Sequence, residues 1–286
     1  MKLKKFLILY IIISGGISFS ISTAQSAYDA LVMAGNWFAE GNYPSAIVEA
    51  KRAVFFDDSI RIPGYLLLSD CYNQMELYDE ALKYLSLAVE LENNDSIRAE
   101  LIFKKINLYL RTRQPAYAFI ALSQLTDNSL PYFSKKKDFY TALAYFQIND
   151  FIQAERYTDH LLQETSRYDS CYISTLFLKA FKNSAKSPVL PAVSSAVLPG
   201  SGQLMKGYYR DAANAFLLNT CIATITYFTF IRLNPLDAIL AMFPFVQRYY
   251  WSNIFNAGEL SRLKQERVNN ELYNELLDYI DQVLNQ

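Results

Sequence analysis

The sequence predicts an all-α protein: an array of helical hairpins, then a transmembrane helical hairpin and a C-terminal helix. In the first half of the chain a short pattern recurs after 35 residues, which is the size of a helix–turn–helix repeat. Residues 212–231 carry no formal charge, and a helix of this length is about 30 Å long, enough to cross the hydrocarbon core of a bilayer. The last residues, 260–286, combine many charges with apolar side chains at helical spacing, which indicates an amphipathic helix.

Composition limits the classes of function. The chain has 286 residues, of which 52% are hydrophobic and 19% charged, so it has enough apolar side chains for more than one domain. A net charge of −1 argues against nucleic acid as a partner, because such surfaces need a basic stripe. We predict a signal peptide at 1–24, a repeat array at 25–186, a membrane module at 187–259 and a C-terminal amphipathic helix at 260–286.

The N-terminus has the pattern of an export signal. Lys2, Lys4 and Lys5 precede an apolar core at residues 6–13, and the small residues Ser22 and Ala24 form a cleavage site before residue 25. An uncleaved N-terminal anchor is the alternative. Both interpretations place the following residues outside the cytoplasm, so we expect the repeats to face the periplasm from a bacterial inner membrane.

The repeat pattern combines a turn, an aromatic residue before it and small residues after it. The turn segments are residues 41–46, 76–81, 113–118 and 149–154. An aromatic residue stands four positions before each turn, at Trp37, Tyr72, Tyr109 and Tyr145. Small side chains allow antiparallel helices to approach closely, which predicts tight interhelical contacts at Ala46, Ala53, Ala81 and Ala88.

Over residues 28–164 this pattern resembles the tetratricopeptide repeat family. The resemblance implies a ligand-binding concave face made by the first helix of each hairpin. Carried onto this sequence, that face contains Leu31, Phe38, Leu66, Asp70, Asn73, Gln74, Phe103, Asn107, Arg111, Phe139 and Gln147. Apolar pockets next to amide and charged groups suit an extended peptide, whereas ordinary solvated helix surface is the alternative. A helix at 172–181 is expected to close the array.

A glycine-rich segment opens the membrane module. Its residues Pro199, Gly200, Gly202, Gln203 and Gly207 resemble a proline-glycine-x-glycine-glutamine-x-tyrosine-x-glycine signature of bacterial domains with two transmembrane helices, with Met205 in place of the tyrosine. The prolines and glycines of residues 188–205 exclude one straight helix. A phosphate-binding loop is excluded because no strand precedes the glycines and Lys206 is not followed by Ser or Thr.

A second apolar stretch, residues 236–257, is predicted to pair with residues 212–231 as a membrane hairpin with both ends on the repeat side. It contains Asp237, Pro244 and Arg248, which oppose insertion. The aromatic residues 249–251 favour an interfacial position, from which Arg248 can extend to the headgroups.

The sequence contains no recognisable catalytic set, so we predict no enzymatic activity, no cofactor and no metal. The single histidine, His160, is predicted to be solvated on a helix surface. Cys71, Cys171 and Cys221 lack metal-ligand spacing and are predicted to be buried thiols, with a Cys71–Cys171 disulfide as the alternative.

Two functional hypotheses remain. In the first, the protein is a membrane-anchored scaffold whose repeats bind a protein or peptide partner, with lipid as its other contact. In the second, it acts in the passage of lipid or substrate, with Asp237 and Arg248 as functional intramembrane charges and the repeats as accessory. Buried and paired charges would favour the second hypothesis, and interfacial charges the first.

Overall fold

A computed structural model describes residues 26–125, 131–232 and 235–285. The predicted signal peptide lies outside the described residues. Within those ranges every regular element is a helix and no strand occurs, which confirms the all-α prediction. The chain separates into two compact units, divided between Ser134 and Lys135.

The first unit consists of antiparallel helix pairs. These are α1 (Ala27–Ala39) with α2 (Tyr43–Phe56), α3 (Arg61–Gln74) with α4 (Tyr78–Leu91), and α5 (Asp95–Arg111) with α6 (Pro115–Ser123). Local side chains define where several of these helices begin. Ser26 forms a capping box with Asp29, and the Asn94 side chain accepts hydrogen bonds from the first amides of α5.

The second unit contains a further hairpin and the predicted membrane module. Helix α7 (Pro131–Gln147) begins just before the division and pairs with α8 (Phe151–Leu162), and α9 (Ser170–Ser184) follows. Two short helices, α10 (Val189–Val197) and α11 (Ser201–Met205), precede the long α12 (Tyr209–Arg232) and α13 (Pro235–Asn285). The predicted closing helix at 172–181 lies inside α9.

All four hairpins turn in the same way. The residue at the turn has a positive φ of 77° at Gly41, 60° at Glu76, 58° at Arg113 and 62° at Asn149. In each case the next amide donates to the carbonyl of the aromatic residue five positions earlier, at 2.8 to 3.0 Å, which is the Schellman pattern of helix termination. The predicted aromatic positions Trp37, Tyr72, Tyr109 and Tyr145 therefore coincide with the acceptors of these bonds.

Small side chains fill the contacts between paired helices. Ala46, Ala53, Ala81 and Ala88 have no exposed surface, which confirms the predicted packing positions. Aromatic rings also pack between paired helices: Tyr72 on α3 stacks on Tyr84 of α4 with centroids 5.5 Å apart, and Tyr145 on α7 stacks on Tyr157 of α8 at 5.6 Å.

The predicted boundary between the membrane module and the C-terminal helix, at residue 259, does not coincide with the end of a helix. One helix of 51 residues includes both the second apolar stretch and the C-terminal tail. Gly258 lies inside this helix and does not end it, and a Cβ there would make an ordinary contact with the Cβ of Ala192 on α10, at 3.5 Å. The C-terminal part packs on α9 through the buried residues Leu272, Leu276 and Ile280.

Among the described residues, α12 is the one helix long and apolar enough to cross a membrane. It has 24 residues, and none of its apolar window is buried inside the structure. Most of its large apolar side chains, such as Leu217 and Phe228, are exposed.

Candidate functional site

The first candidate site is a polar cluster on the first unit, where α3 and α5 lie side by side. Arg111 donates from Nη1 to Asn73 Oδ1 at 3.1 Å and from Nη2 to the Tyr78 hydroxyl at 3.5 Å. Its guanidinium also lies 5.4 Å from the centroid of the Tyr78 ring. These contacts hold an exposed cation in one orientation, with donors directed to the surface.

The Asp70 carboxylate extends the cluster, since Asp70 lies on α3 together with Asn73. Asp70 lies 3.9 Å from the ammonium group of Lys104, and both side chains are about half exposed. Partial burial raises the pKa of Asp70, and the Lys104 charge opposes that shift. Cationic, anionic and amide groups therefore occupy one surface, as recognition of a peptide backbone and its charged side chains requires.

The remaining residues of the predicted concave face have different environments. Asn107 is exposed on α5, whereas Leu31, Phe38 and Leu66 are half-buried on α1 and α3. Gln147 is half-buried on α7, in the second unit.

Phe103 does not belong to that face. It is 1% exposed and stacks on Phe133 with ring centroids 6.2 Å apart. The prediction for this residue was wrong because α5 is buried over a wide arc, and Phe103 lies on that arc with Ala99 and Ile106.

His160 is exposed, as predicted, but it also contacts a carboxylate on the neighbouring helix. Its side chain is 62% exposed, yet its Nδ1 lies 2.7 Å from Asp138 Oδ2, whose side chain is only 13% exposed. The pair joins α8 to α7. The recess beside it is lined by Ile152, Glu155, Arg156, Tyr157, Asp159 and Gln163, which include no serine or cysteine nucleophile.

The second candidate site is the glycine-rich motif of the predicted membrane module, where two glycines allow backbones to touch. Gly200 has φ of +91°, and a Cβ there would lie 2.4 Å from the carbonyl oxygen of Ala212 on α12. At Gly202 a Cβ would lie 2.0 Å from the carbonyl oxygen of Pro191 on α10. Any larger residue would therefore push α11 away from its neighbours.

Gln203 is the centre of a buried hydrogen-bond network. It has no exposed surface; its Oε1 accepts from Ser195 Oγ at 2.9 Å, and its Nε2 donates to Asn253 Oδ1 at 2.8 Å. The amide of Gly202 donates to the same Ser195 Oγ at 2.9 Å, and Asn253 donates from Nδ2 to the Ser195 carbonyl at 3.3 Å. One glutamine thus joins α10, α11 and α13, with both ends of its amide paired.

The other motif residues shape the turns around this network. Pro199 lies in the break between α10 and α11, which confirms that residues 188–205 are not one straight helix. Gly207 has φ of +83° and ends the short α11 before α12 begins. Tyr250 on α13 adds a hydrogen bond from its hydroxyl to the carbonyl of Ala196.

Asp237 and Arg248 lie outside the network. Both are exposed on α13, and neither has a carboxylate or cationic partner among the described residues. The Arg248 guanidinium lies 6.0 Å from the ring of Tyr249. It also borders a recess with Pro244, Gln247, Trp251 and Phe255.

Ser195 and Asn253 belong to this site, although they were not predicted from the sequence. Both are polar residues inside otherwise apolar segments, and both are buried. A buried polar side chain needs a partner, so their position in an apolar setting was the signal that could have paired them with Gln203.

The cysteine prediction holds for one residue of three. Cys71 is buried, and its burial raises the pKa of the thiol to about 11. Cys171 and Cys221 are exposed, because their helix positions face outwards on α9 and α12, and all three thiols are free. Over the described residues no group of His, Cys, Asp and Glu side chains is arranged to hold a metal ion.

No family model matches the chain, and no curated protein matches its sequence.

Proposed function

We propose that the protein is a non-enzymatic scaffold or adaptor of the bacterial cell envelope. Helices α12 and α13 anchor it in the inner membrane, and tetratricopeptide-type repeats face the periplasm and bind a protein or peptide partner. The observation that carries the proposal is the single helix α13, which packs on α12 at one end and on α9 at the other. Both α9 and α13 also contact α8, so the last repeat hairpin is connected to α12 through packed helices.

Hydrogen bonds attach α13 to α9 and to the turn of the second unit's hairpin. The Asn183 side chain donates to the Gln265 carbonyl at 3.0 Å and to Asn269 Oδ1 at 2.8 Å. Asn269 in turn donates to Asn149 Oδ1 at 3.2 Å, at the hairpin turn. The Tyr172 hydroxyl donates to Glu275 at 2.8 Å. Such a connection would transmit the position of the membrane helices to the repeat hairpin.

The surface of α12 supports lipid contact. Besides exposing apolar side chains, it pairs its polar ones internally: Thr224, Thr226 and Thr229 donate to the carbonyl four residues earlier at 2.7 or 2.8 Å. The Asn219 amide does the same to Ala215 at 2.8 Å. Satisfied hydroxyls and amides are required where no water is present.

The exposed charges favour a scaffold over a passage for lipid or substrate. A role in passage would call for Asp237 and Arg248 to be buried and paired, but both are exposed and neither has an ion-pair partner within the described ranges. The polar cluster around Arg111 supplies a recognition surface on the first unit instead.

Labelling of a native cysteine tests the orientation. Cys171 is exposed on α9, whereas Cys71 is buried and Cys221 lies on the apolar α12. In intact spheroplasts a membrane-impermeant maleimide should label Cys171, and the Cys171→Ser variant should lose that label. Labelling that requires lysis would reverse the proposed topology.

Site-specific photo-crosslinking in the living cell tests the recognition surface. A photoreactive residue at Asn107 should give a discrete protein adduct, and Arg111→Ala should abolish it. The matched control is a photoreactive residue at Arg98, nine positions away and therefore on the opposite side of α5 at about 100° per residue. Equal adducts at both positions, or none at Asn107, would count against this surface.

A further inference from the structure

Three lysines converge beside the glycine-rich motif, from three different segments. Lys186 follows α9, Lys206 ends α11 and Lys264 lies on α13. The Lys264 ammonium donates to the Lys206 carbonyl at 2.8 Å, and the neighbouring Gln265 side chain donates to the Lys186 carbonyl. Helix α13 therefore holds the other two lysines through direct hydrogen bonds.

This lysine cluster is not neutralised by the protein. Among the described residues, none of the three has a carboxylate within ion-pair distance. The nearby acidic residues Glu259 and Glu266 are both paired with Arg262 on another face of α13. Partial burial lowers the pKa of Lys206, and the charges of Lys186 and Lys264 lower it further. Concentrated like charge is unfavourable, and an anion placed among the ammonium groups would relieve it.

The cluster stands at one end of an apolar surface. Helices α10 and α11 form a short hairpin whose tip exposes Val197 and Leu198, and Ala196 at that tip bonds to Tyr250. Lys264 lies 14 residues further along α13 than Tyr250. The lysine cluster is therefore separated from the apolar tip by about 21 Å along the axis of α13. Helix α12 begins at Tyr209, directly after the cluster. If α12 crosses the bilayer, the apolar tip lies among the acyl chains and the lysines lie at the level of the headgroups.

We propose that Lys186, Lys206 and Lys264 bind the phosphate of an anionic phospholipid on the repeat side of the membrane. The charge of the cluster, its lack of carboxylate partners and its place at the start of α12 together select this occupant. A phosphate there would accept hydrogen bonds from the ammonium groups, and the acyl chains would cover the exposed apolar residues of α10. This inference rests on the proposed membrane anchoring.

The test uses the full-length protein and two lipids with identical acyl chains. Native mass spectrometry from detergent would count the phosphatidylglycerol and phosphatidylcholine molecules retained by each chain. We expect the wild type to prefer phosphatidylglycerol, and the variant Lys186→Gln/Lys206→Gln/Lys264→Gln to bind it about tenfold more weakly or worse. The matched control, Arg61→Gln/Lys83→Gln/Arg98→Gln, removes three cations from the first unit and should keep the preference.

Two further measurements separate the other outcomes. The variant Lys186→Arg/Lys206→Arg/Lys264→Arg keeps the charges and should keep the preference, which distinguishes lost charge from lost folding. An equal preference in the glutamine variant and the wild type would overturn the proposal, and so would competition by inorganic phosphate without any lipid preference.

Insertion into phosphatidylcholine vesicles, resistant to carbonate extraction, tests anchoring alone. A chain that inserts but shows no preference refutes only the lipid site.

Discussion

The four helix hairpins and the glycine-rich motif of the predicted membrane module both turn the chain through residues with positive φ, but the two regions place different demands on the side chain. In the repeats that position is occupied by Gly41, Glu76, Arg113 and Asn149, four different residue types. At Gly41, a Cβ would meet nothing within 4 Å. In the module, Gly200 and Gly202 lie against neighbouring backbone, and a Cβ at either would lie within 2.4 Å of a carbonyl oxygen.

The difference shows two ways of fixing a turn. In the repeats the backbone hydrogen bonds of the Schellman pattern fix it, and three of the four turns carry a side chain at the left-handed position, at Glu76, Arg113 and Asn149. At Gly200 the turn is instead fixed by contact with the backbone of α12, which only glycine permits. The repeat pattern can therefore vary in sequence, whereas the motif of the module cannot.

The largest expected effect is that of Gly202→Ala. The new methyl group would overlap the Pro191 carbonyl and the Ser195 hydroxyl, so we expect a loss of about 3 kcal/mol or more in the free energy of unfolding. Thermal unfolding of the full chain in detergent would measure it. Gly41→Ala is the matched control: it strains a left-handed residue in open space and should cost only about 1–2 kcal/mol. Similar losses in the two variants would remove the distinction between the turns.

The second prediction compares the loss in unfolding free energy when either of two buried polar side chains is replaced by an apolar one. Gln203→Met keeps the volume but leaves Ser195 and Asn253 without their partner, so we expect a loss of about 2–3 kcal/mol. Thr158→Val is the control in the repeats, since the Thr158 hydroxyl is buried and bonds only to the Ala154 carbonyl of its own helix, at 2.8 Å. That change should cost less than about 1 kcal/mol. Denaturant titration of both variants gives the comparison, and a larger loss for Thr158→Val would contradict it.

The sequence was sufficient to predict features that depend on local spacing. The aromatic positions before the turns, the buried alanines and the break at Pro199 follow from patterns within a few residues, and the structure has all of them. The network of Gln203 depends instead on residues 8 and 50 positions away, Ser195 and Asn253. No periodicity indicates which distant polar residues will meet. The burial of Phe103 was missed because single positions on a half-buried helix depend on the neighbouring helix.

Ala81→Leu should have an intermediate effect in the repeats. Ala81 has no exposed surface, so the larger side chain must push α4 away from its partner helix and should cost about 1–3 kcal/mol. Ala116→Leu, at an exposed position on α6, should change the stability by less than about 0.5 kcal/mol. Thermal unfolding of the full chain distinguishes them. An unchanged midpoint for Ala81→Leu would show that the repeats tolerate overpacking as well as they tolerate different turn residues.

The smallest expected effect concerns the contact between α9, which follows the repeat hairpins, and α13, which begins in the predicted membrane module. There the Tyr172 hydroxyl on α9 donates to Glu275 on α13. Burial, and then the hydrogen bond to Glu275, raise the pKa of Tyr172 from 10.0 to about 12. Because the folded protein favours the neutral phenol, the stabilisation is complete below pH 10 and is lost as the pH rises towards 12. Tyr172→Phe removes the hydrogen bond and should cost about 1 kcal/mol near neutral pH.

The difference in stability between the wild type and Tyr172→Phe should therefore shrink as the pH rises from 10 to 12. Unfolding measured at a series of pH values would show it, and Glu275→Gln separates the hydrogen bond from the charge, since a neutral amide oxygen still accepts from the phenol. A difference that stays constant over this range would mean that the Tyr172–Glu275 contact does not stabilise the attachment of α13. The attachment would then depend on apolar burial at Leu272, Leu276 and Ile280, as the repeat hairpins depend on their alanines.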